Sequence, residues 1–227
     1  MNDLNQYLDA AILKPETTRG ETITALKACI ALRTFSVCVR PCDVELAQEY
    51  CKGTATAVCV VLGFPHGDQL TTSKADEASR YIKLGVDEID MVVNYGWAKS
   101  GQWDLVEADI KAVAQQTKAA GIVSKVIFET AQIDADQVKK LVEICIEAGA
   151  DFVKTSTGFN GDGAQEGDVK LMLDTAAGRI KVKPSGGIRD AARAQMFIDM
   201  GAHRLGLGWN SCEAVCKGSA PTTGEGY

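Results

Sequence analysis

Apolar residues along this chain follow two alternating rhythms. Short runs, rich in β-branched residues and apolar at successive positions, occupy 8–13, 35–41, 55–64, 88–95, 123–130, 151–157, 180–186 and 203–208. Apolarity that fails to alternate predicts strands covered on both faces. Between these runs, apolar residues recur at helical spacing. In 136–150 they are Val138, Leu141, Val142, Cys145 and Ile146, and in 73–85 Ala75, Ala78, Ile82 and Leu84. Both stretches end in glycine, which accepts the left-handed conformation that stops a helix. Further helices are predicted over 20–33, 43–52, 102–121, 165–178 and 189–201.

Eight strands alternating with helices over 227 residues predict the α/β class and one closed parallel (β/α)8 TIM barrel. An open doubly wound sheet is the alternative. Against it, the first strand is followed by LKPETTRGET, which holds no G-x-G-x-x-G. The barrel domain is assigned to 1–216 and a small polar tail, expected to be mobile, to 217–227.

Charge and cysteine usage remove several function classes. The net charge is -6 and the basic residues are scattered, so no nucleic-acid partner is expected. An anionic substrate would have to be held by a local site rather than by the field of the whole molecule. The eight cysteines, at 29, 38, 42, 51, 59, 145, 212 and 216, include no Cys-x-x-Cys pair, and the histidines are His66 and His203 alone. Most of these cysteines sit in apolar runs, which predicts buried free thiols instead of disulfides or metal ligands. No metal and no cofactor is expected. No run approaches membrane-spanning length, and no basic-then-apolar leader opens the chain, so a cytoplasmic protein without membrane partners is expected.

Chemistry in a barrel is carried at the C-terminal ends of the strands. Three charged residues there follow apolar positions: Asp90 in EIDMVV, Lys154 in DFVKTSTGF and Lys183 in KVKPSGGIR. A lone lysine at a strand end reads most simply as snorkelling to water. Two on separate strands, each followed by a Ser/Gly-rich turn, point to amine chemistry. An amine attacks a carbonyl only when neutral, and free lysine has a pKa near 10.4. A second ammonium roughly 6 Å away would disfavour its charge by about 2–3 kcal/mol, around two pH units. One lysine would be the nucleophile and the other would remain cationic, with Asp90 as acid/base. Spacing alone leaves open which lysine is which. Glycine-rich turns at 155–161, 185–189 and 205–208 follow the late strands, where barrels hold phosphate through backbone amides.

KVIFET, AGADFVKTSTGF and KPSGGIR, with DEIDMVVNYG and GFPHG, resemble the motif set of the deoxyribose-phosphate aldolases from about Leu8 to Gly208. The resemblance implies a metal-free class I aldolase that cleaves 2-deoxy-D-ribose 5-phosphate reversibly to D-glyceraldehyde 3-phosphate and acetaldehyde. It implies Lys154 as the Schiff-base lysine, Lys183 as the partner that disfavours its charge, and Asp90 as the proton relay. Gly158, Gly186, Gly187 and Arg189 fall at phosphate-side turns, with Gly206 and Gly208 beside them on the last strand. Asp9 matches a first-strand aspartate that is architectural or supports the catalytic residues from behind, Cys38 and Asn94 line the mouth, and Tyr227 matches a terminal tyrosine that folds over the site in such enzymes.

Two departures stand out. The first strand reads Asp9-Ala10-Ala11 where the family commonly has Asp-His-Thr. After the eighth strand, Gly208 and Trp209 replace hydroxyl residues, which predicts weaker discrimination in favour of phosphorylated substrates. Rival readings are a transaldolase or keto-acid aldolase, and a sugar-phosphate-binding barrel without turnover. Oligomeric state is left open, with a homo-oligomer as one expectation.

Overall fold

The computed structural model describes residues 4–218. All eight predicted strands form: β1 (Leu8–Ile12), β2 (Ser36–Val39), β3 (Ala57–Leu62), β4 (Glu88–Val92), β5 (Val123–Ile127), β6 (Phe152–Lys154), β7 (Lys181–Lys183) and β8 (Leu205–Gly208). They pair in parallel in the order β7-β6-β5-β4-β3-β2-β1-β8. The last seam, between β7 and β8, closes beyond the end of β7. There the Gly206 N–H donates to the Pro184 carbonyl and the Gly206 carbonyl accepts from the Gly186 N–H, each at 2.9 Å. A Cβ at Gly206 would lie 2.4 Å from Ser185 Oγ, so glycine is required here by close approach. The result is a TIM barrel, as expected.

Nine α-helices surround it in the described residues: α1 (Arg19–Leu32), α2 (Val44–Cys51), α3 (Thr71–Leu84), α4 (Tyr95–Lys99), α5 (Trp103–Ala120), α6 (Ala135–Ala148), α7 (Glu166–Ala176), α8 (Ala191–Asp199) and α9 (Trp209–Lys217). Reciprocal capping boxes start α1 (Thr18 with Glu21) and α6 (Asp134 with Gln137), tying down amides that the first turn leaves unpaired. Gly85 and Gly149 take the left-handed conformation that ends α3 and α6.

Two helices go beyond the sequence expectation. α4 has five residues, too few for a periodic signal, and is started by Asn94 Oδ1, which accepts from the Trp97 N–H. α9 buries Ser211, Cys212, Ala214 and Val215 and reaches Lys217, the first residue assigned to the tail. Gly218 caps that helix, and residues 219–227 of the predicted tail, Tyr227 among them, lie outside the described residues.

The buried face of α3 also differs from the expected one. Ala78 is buried and Ile82 packs against the core as expected, but Leu84 is exposed, and Lys74 and Tyr81 turn inward instead. Lys74 is admitted because its ammonium meets Asp109 of α5 at 2.5 Å and donates to the Val92 carbonyl at 3.0 Å. The strands are buried on both faces, as their unbroken apolarity predicts. All eight cysteines are free, six of them buried. No helix among the described residues is long and apolar enough to cross a membrane.

Candidate active site

Register brings the charged strand positions together inside the barrel. Lys154 and Lys183 are direct partners across the β6–β7 pair, and Asp90 is the partner of Lys125 across β4–β5. Both lysine ammoniums named from the sequence donate to a single oxygen, Asp90 Oδ2, each at 2.9 Å. The two nitrogens are therefore no more than twice that distance apart. Asp90 Oδ1 accepts from Lys125 at 2.8 Å. Below this, Lys183 meets Asp9 Oδ2 at 2.6 Å, Lys125 meets Glu88 at 2.5 Å, and Arg204 bridges Asp9 (2.6 Å) and Glu88 (3.0 Å). Ser36 donates to Asp9 at 2.7 Å.

The ion-paired cluster thus holds four cationic side chains and three carboxylates. One amine can lose its proton without leaving any carboxylate uncompensated. Burial works against the Asp90 charge, yet Lys125, Lys154 and Lys183 outweigh it and hold the carboxyl well below the usual range. Asp9 is held low in the same way, against burial, by Lys183, Lys125 and Arg204. Burial disfavours the Lys183 ammonium as well, but Asp9 and Asp90 more than offset it, leaving its pKa above that of an ordinary lysine. Lys183 is thereby committed to its positive charge.

Cys38 is buried and is the β-sheet partner of Cys59, whose thiol donates to Asp90 Oδ1 at 3.2 Å. Atoms of Cys38, Cys59 and Asp90 approach within 4.8 Å of one another, a spacing a metal ion could use. Both Asp90 oxygens already accept from ammonium groups, however, and a cation placed there would meet three lysines.

The glycine-rich turns separate into two places. Gly158, Gly186, Gly187 and Arg189 line one cavity of about 380 Å³, together with Gly163 and Arg193. Gly163 approaches so closely that a Cβ there would lie 2.3 Å from the Gly186 carbonyl carbon, which leaves a wall made of backbone. Gly208 stands apart at the start of α9, whose first residues, Trp209 and Asn210, line a second cavity beside Leu13 and Lys14. Gly206 belongs to neither. Its amide is taken by the barrel seam, so the phosphate-binding role expected for it is not met. Asn94 lies at the end of β4, and its oxygen is committed to capping α4.

A model of the DeoC/LacD family aldolases matches residues 6–214. This chain belongs to that family. It is 44% identical to the deoxyribose-phosphate aldolase of Mannheimia succiniciproducens over 99% of this chain and 98% of that protein. It is 43% identical to the Enterococcus faecalis enzyme of the same name, over 99% and 100%. Among solved structures, the aldolase QR15 superposes with a TM-score of 0.89 at 40% identity, covering 96% of each chain. The tetrameric deoxyribose phosphate aldolase of Aeropyrum pernix does so with a TM-score of 0.86 at 26% identity, covering 94% of this chain and 89% of that one. The protein is accordingly a carbon–carbon lyase, a class I aldolase on a TIM barrel.

In this aldolase the charged cluster is larger than the sequence reading made it. Asp9, expected either to be architectural or to support the catalytic residues from behind, does the latter through direct contact with Lys183. Glu88, Lys125 and Arg204 were not singled out, although a signal was available. Glu88 and Asp90 are two apart on one strand and therefore share a face, and Lys125 interrupts the apolar run of β5. Glu129 was missed as well. It is buried at the end of β5 with φ 57°, the left-handed region that non-glycine residues seldom occupy. Burial pushes its carboxyl up, partly opposed by Thr157, Asn160 and Lys154.

Proposed function

We propose that this aldolase cleaves 2-deoxy-D-ribose 5-phosphate reversibly to D-glyceraldehyde 3-phosphate and acetaldehyde through a Schiff base on Lys154. The observation that carries the assignment is the single Asp90 oxygen shared by Lys154 and Lys183. Lys183 is held cationic by two carboxylates, so it is unsuited to attack a carbonyl, and its ammonium, sharing Asp90 Oδ2 with Lys154, opposes a second positive charge there.

The neutral amine adds to the C1 aldehyde of the open-chain sugar, and loss of water gives the iminium. A base takes the proton of the C3 hydroxyl, the C2–C3 bond breaks, and its electron pair passes into the iminium to form an enamine. D-Glyceraldehyde 3-phosphate leaves as the aldehyde formed at C3. Protonation of the enamine carbon and hydrolysis then release acetaldehyde and the free lysine. Asp90 bridges the two lysines and would pass protons between them during the carbinolamine and enamine steps.

The phosphate is assigned to the cavity lined by Gly158, Gly186, Gly187 and Arg189, where backbone amides and one guanidinium would meet it. Gly208 and Trp209 line no part of that cavity, so their lack of hydroxyls does not bear on how the phosphate is held there. The other partners proposed are small aldehydes, further copies of the chain and no nucleic acid, with the cytoplasm as the location. Lys154→Leu tests the reading. Release of both products should fall by several orders of magnitude. Full cleavage activity in that variant would contradict it, as would a wild-type protein that binds the sugar phosphate without releasing either product.

A further inference from the structure

Glu129 has no part in the chemistry above, yet it is buried, charged and in the left-handed backbone region, and such conformations persist where the surroundings enforce them. Its Oε1 accepts from the Thr157 N–H at 3.1 Å. Its Oε2 accepts from the Thr157 hydroxyl and, at 3.3 Å, from Asn160 Nδ2. Thr157 Oγ1 in turn accepts from the Phe159 N–H at 3.1 Å, and Asn160 Nδ2 also donates to the Pro65 carbonyl at 2.9 Å. One carboxylate therefore ties the segment that follows Lys154 to the end of β5 and, through Asn160, to the loop after β3.

That segment divides the barrel mouth. Gly158 lines the cavity assigned to the phosphate, whereas Phe159 lines a separate, largely apolar cavity and packs edge-on against Phe64 at 5.3 Å. Moving it would shift the phosphate wall relative to the amine at its start without removing a group from either.

We propose that Glu129 is a positioning residue, a clasp that sets the distance between the Lys154 amine and the phosphate cavity. It thereby selects for substrates long enough to reach both. This rests on the aldolase reading above. Acetaldehyde alone engages the lysine but not the phosphate cavity, so the clasp matters for the sugar phosphate and not for the two-carbon fragment.

The test compares two reactions of one protein: cleavage of 2-deoxyribose 5-phosphate, and deuterium uptake into the methyl group of acetaldehyde in D2O, which reports enamine formation on the lysine. For Glu129→Ala, kcat/KM for the sugar phosphate should fall by roughly 100-fold, mostly in KM, as expected for a displaced binding wall. Acetaldehyde exchange should stay near the wild-type rate. Glu129→Gln, which retains an acceptor oxygen, should recover a substantial part of the loss. Glu129→Gly, free of the left-handed strain, should melt no lower than the alanine variant yet show the same kinetic split. Equal loss of both reactions, no loss of either, or a glutamine variant no better than alanine would overturn the clasp. Absence of exchange in the wild type would instead remove the aldolase reading on which it stands.

Discussion

Asp90 accepts from Lys125 through one oxygen and from Lys154 and Lys183 through the other, so each lysine is felt by the same carboxylate. Replacing Lys183 with Met removes the ammonium that opposes charge on Lys154. The acidic limb of the kcat/KM profile should then move to higher pH by about 1–2 units, since a less opposed amine holds its proton longer. A pH–rate series checks this, and an unmoved limb would argue that Lys183 acts only by shape. Gly208 offers the opposite experiment. Its backbone, φ -60° and ψ 139°, suits any residue. Because Gly208 stands apart from the cavity assigned to the phosphate, Gly208→Ser should leave the preference for phosphorylated over unphosphorylated substrate near its wild-type value. The ratio of the two kcat/KM values measures it.

At the scale of elements, α3 and α5 are joined by the fully buried Lys74–Asp109 pair, supported by Thr71 and the Val92 carbonyl. Asp109→Ala leaves a buried ammonium without its carboxylate and should cost about 3–5 kcal/mol in urea unfolding. Strands and most helices were legible in the sequence because burial on both faces of β1 to β8 and the terminal glycines of α3 and α6 leave local signals. The Lys74 face of α3 was not, because a lysine becomes an inward residue only through a partner 35 positions away. The same limit hid Glu88, Lys125 and Arg204, whose meaning depends on which strand tops and bottoms the barrel brings together. Lys154, Lys183 and Asp90 were legible because each stands in a distinctive apolar run before or within a motif.

For the whole molecule, the buried cluster couples stability to pH. Asp9 and Asp90 have carboxyls held below their ordinary range in the folded barrel. A depressed folded-state pKa contributes stability that is fully present above the unfolded value, near pH 4, and is lost as pH falls below it. Urea midpoints should therefore decline on acidification below about pH 4, and Asp9→Asn should flatten that decline. A midpoint that rises on acidification through this range would contradict the ion-paired cluster. The central claim, a Schiff base on Lys154 of this barrel, is met most directly by borohydride trapping. The protein is incubated with acetaldehyde, reduced, digested and mapped by mass spectrometry. A two-carbon adduct on Lys154 is the predicted result. An adduct on Lys183 would exchange the two lysine roles, and no adduct on either lysine in folded protein would contradict the mechanism.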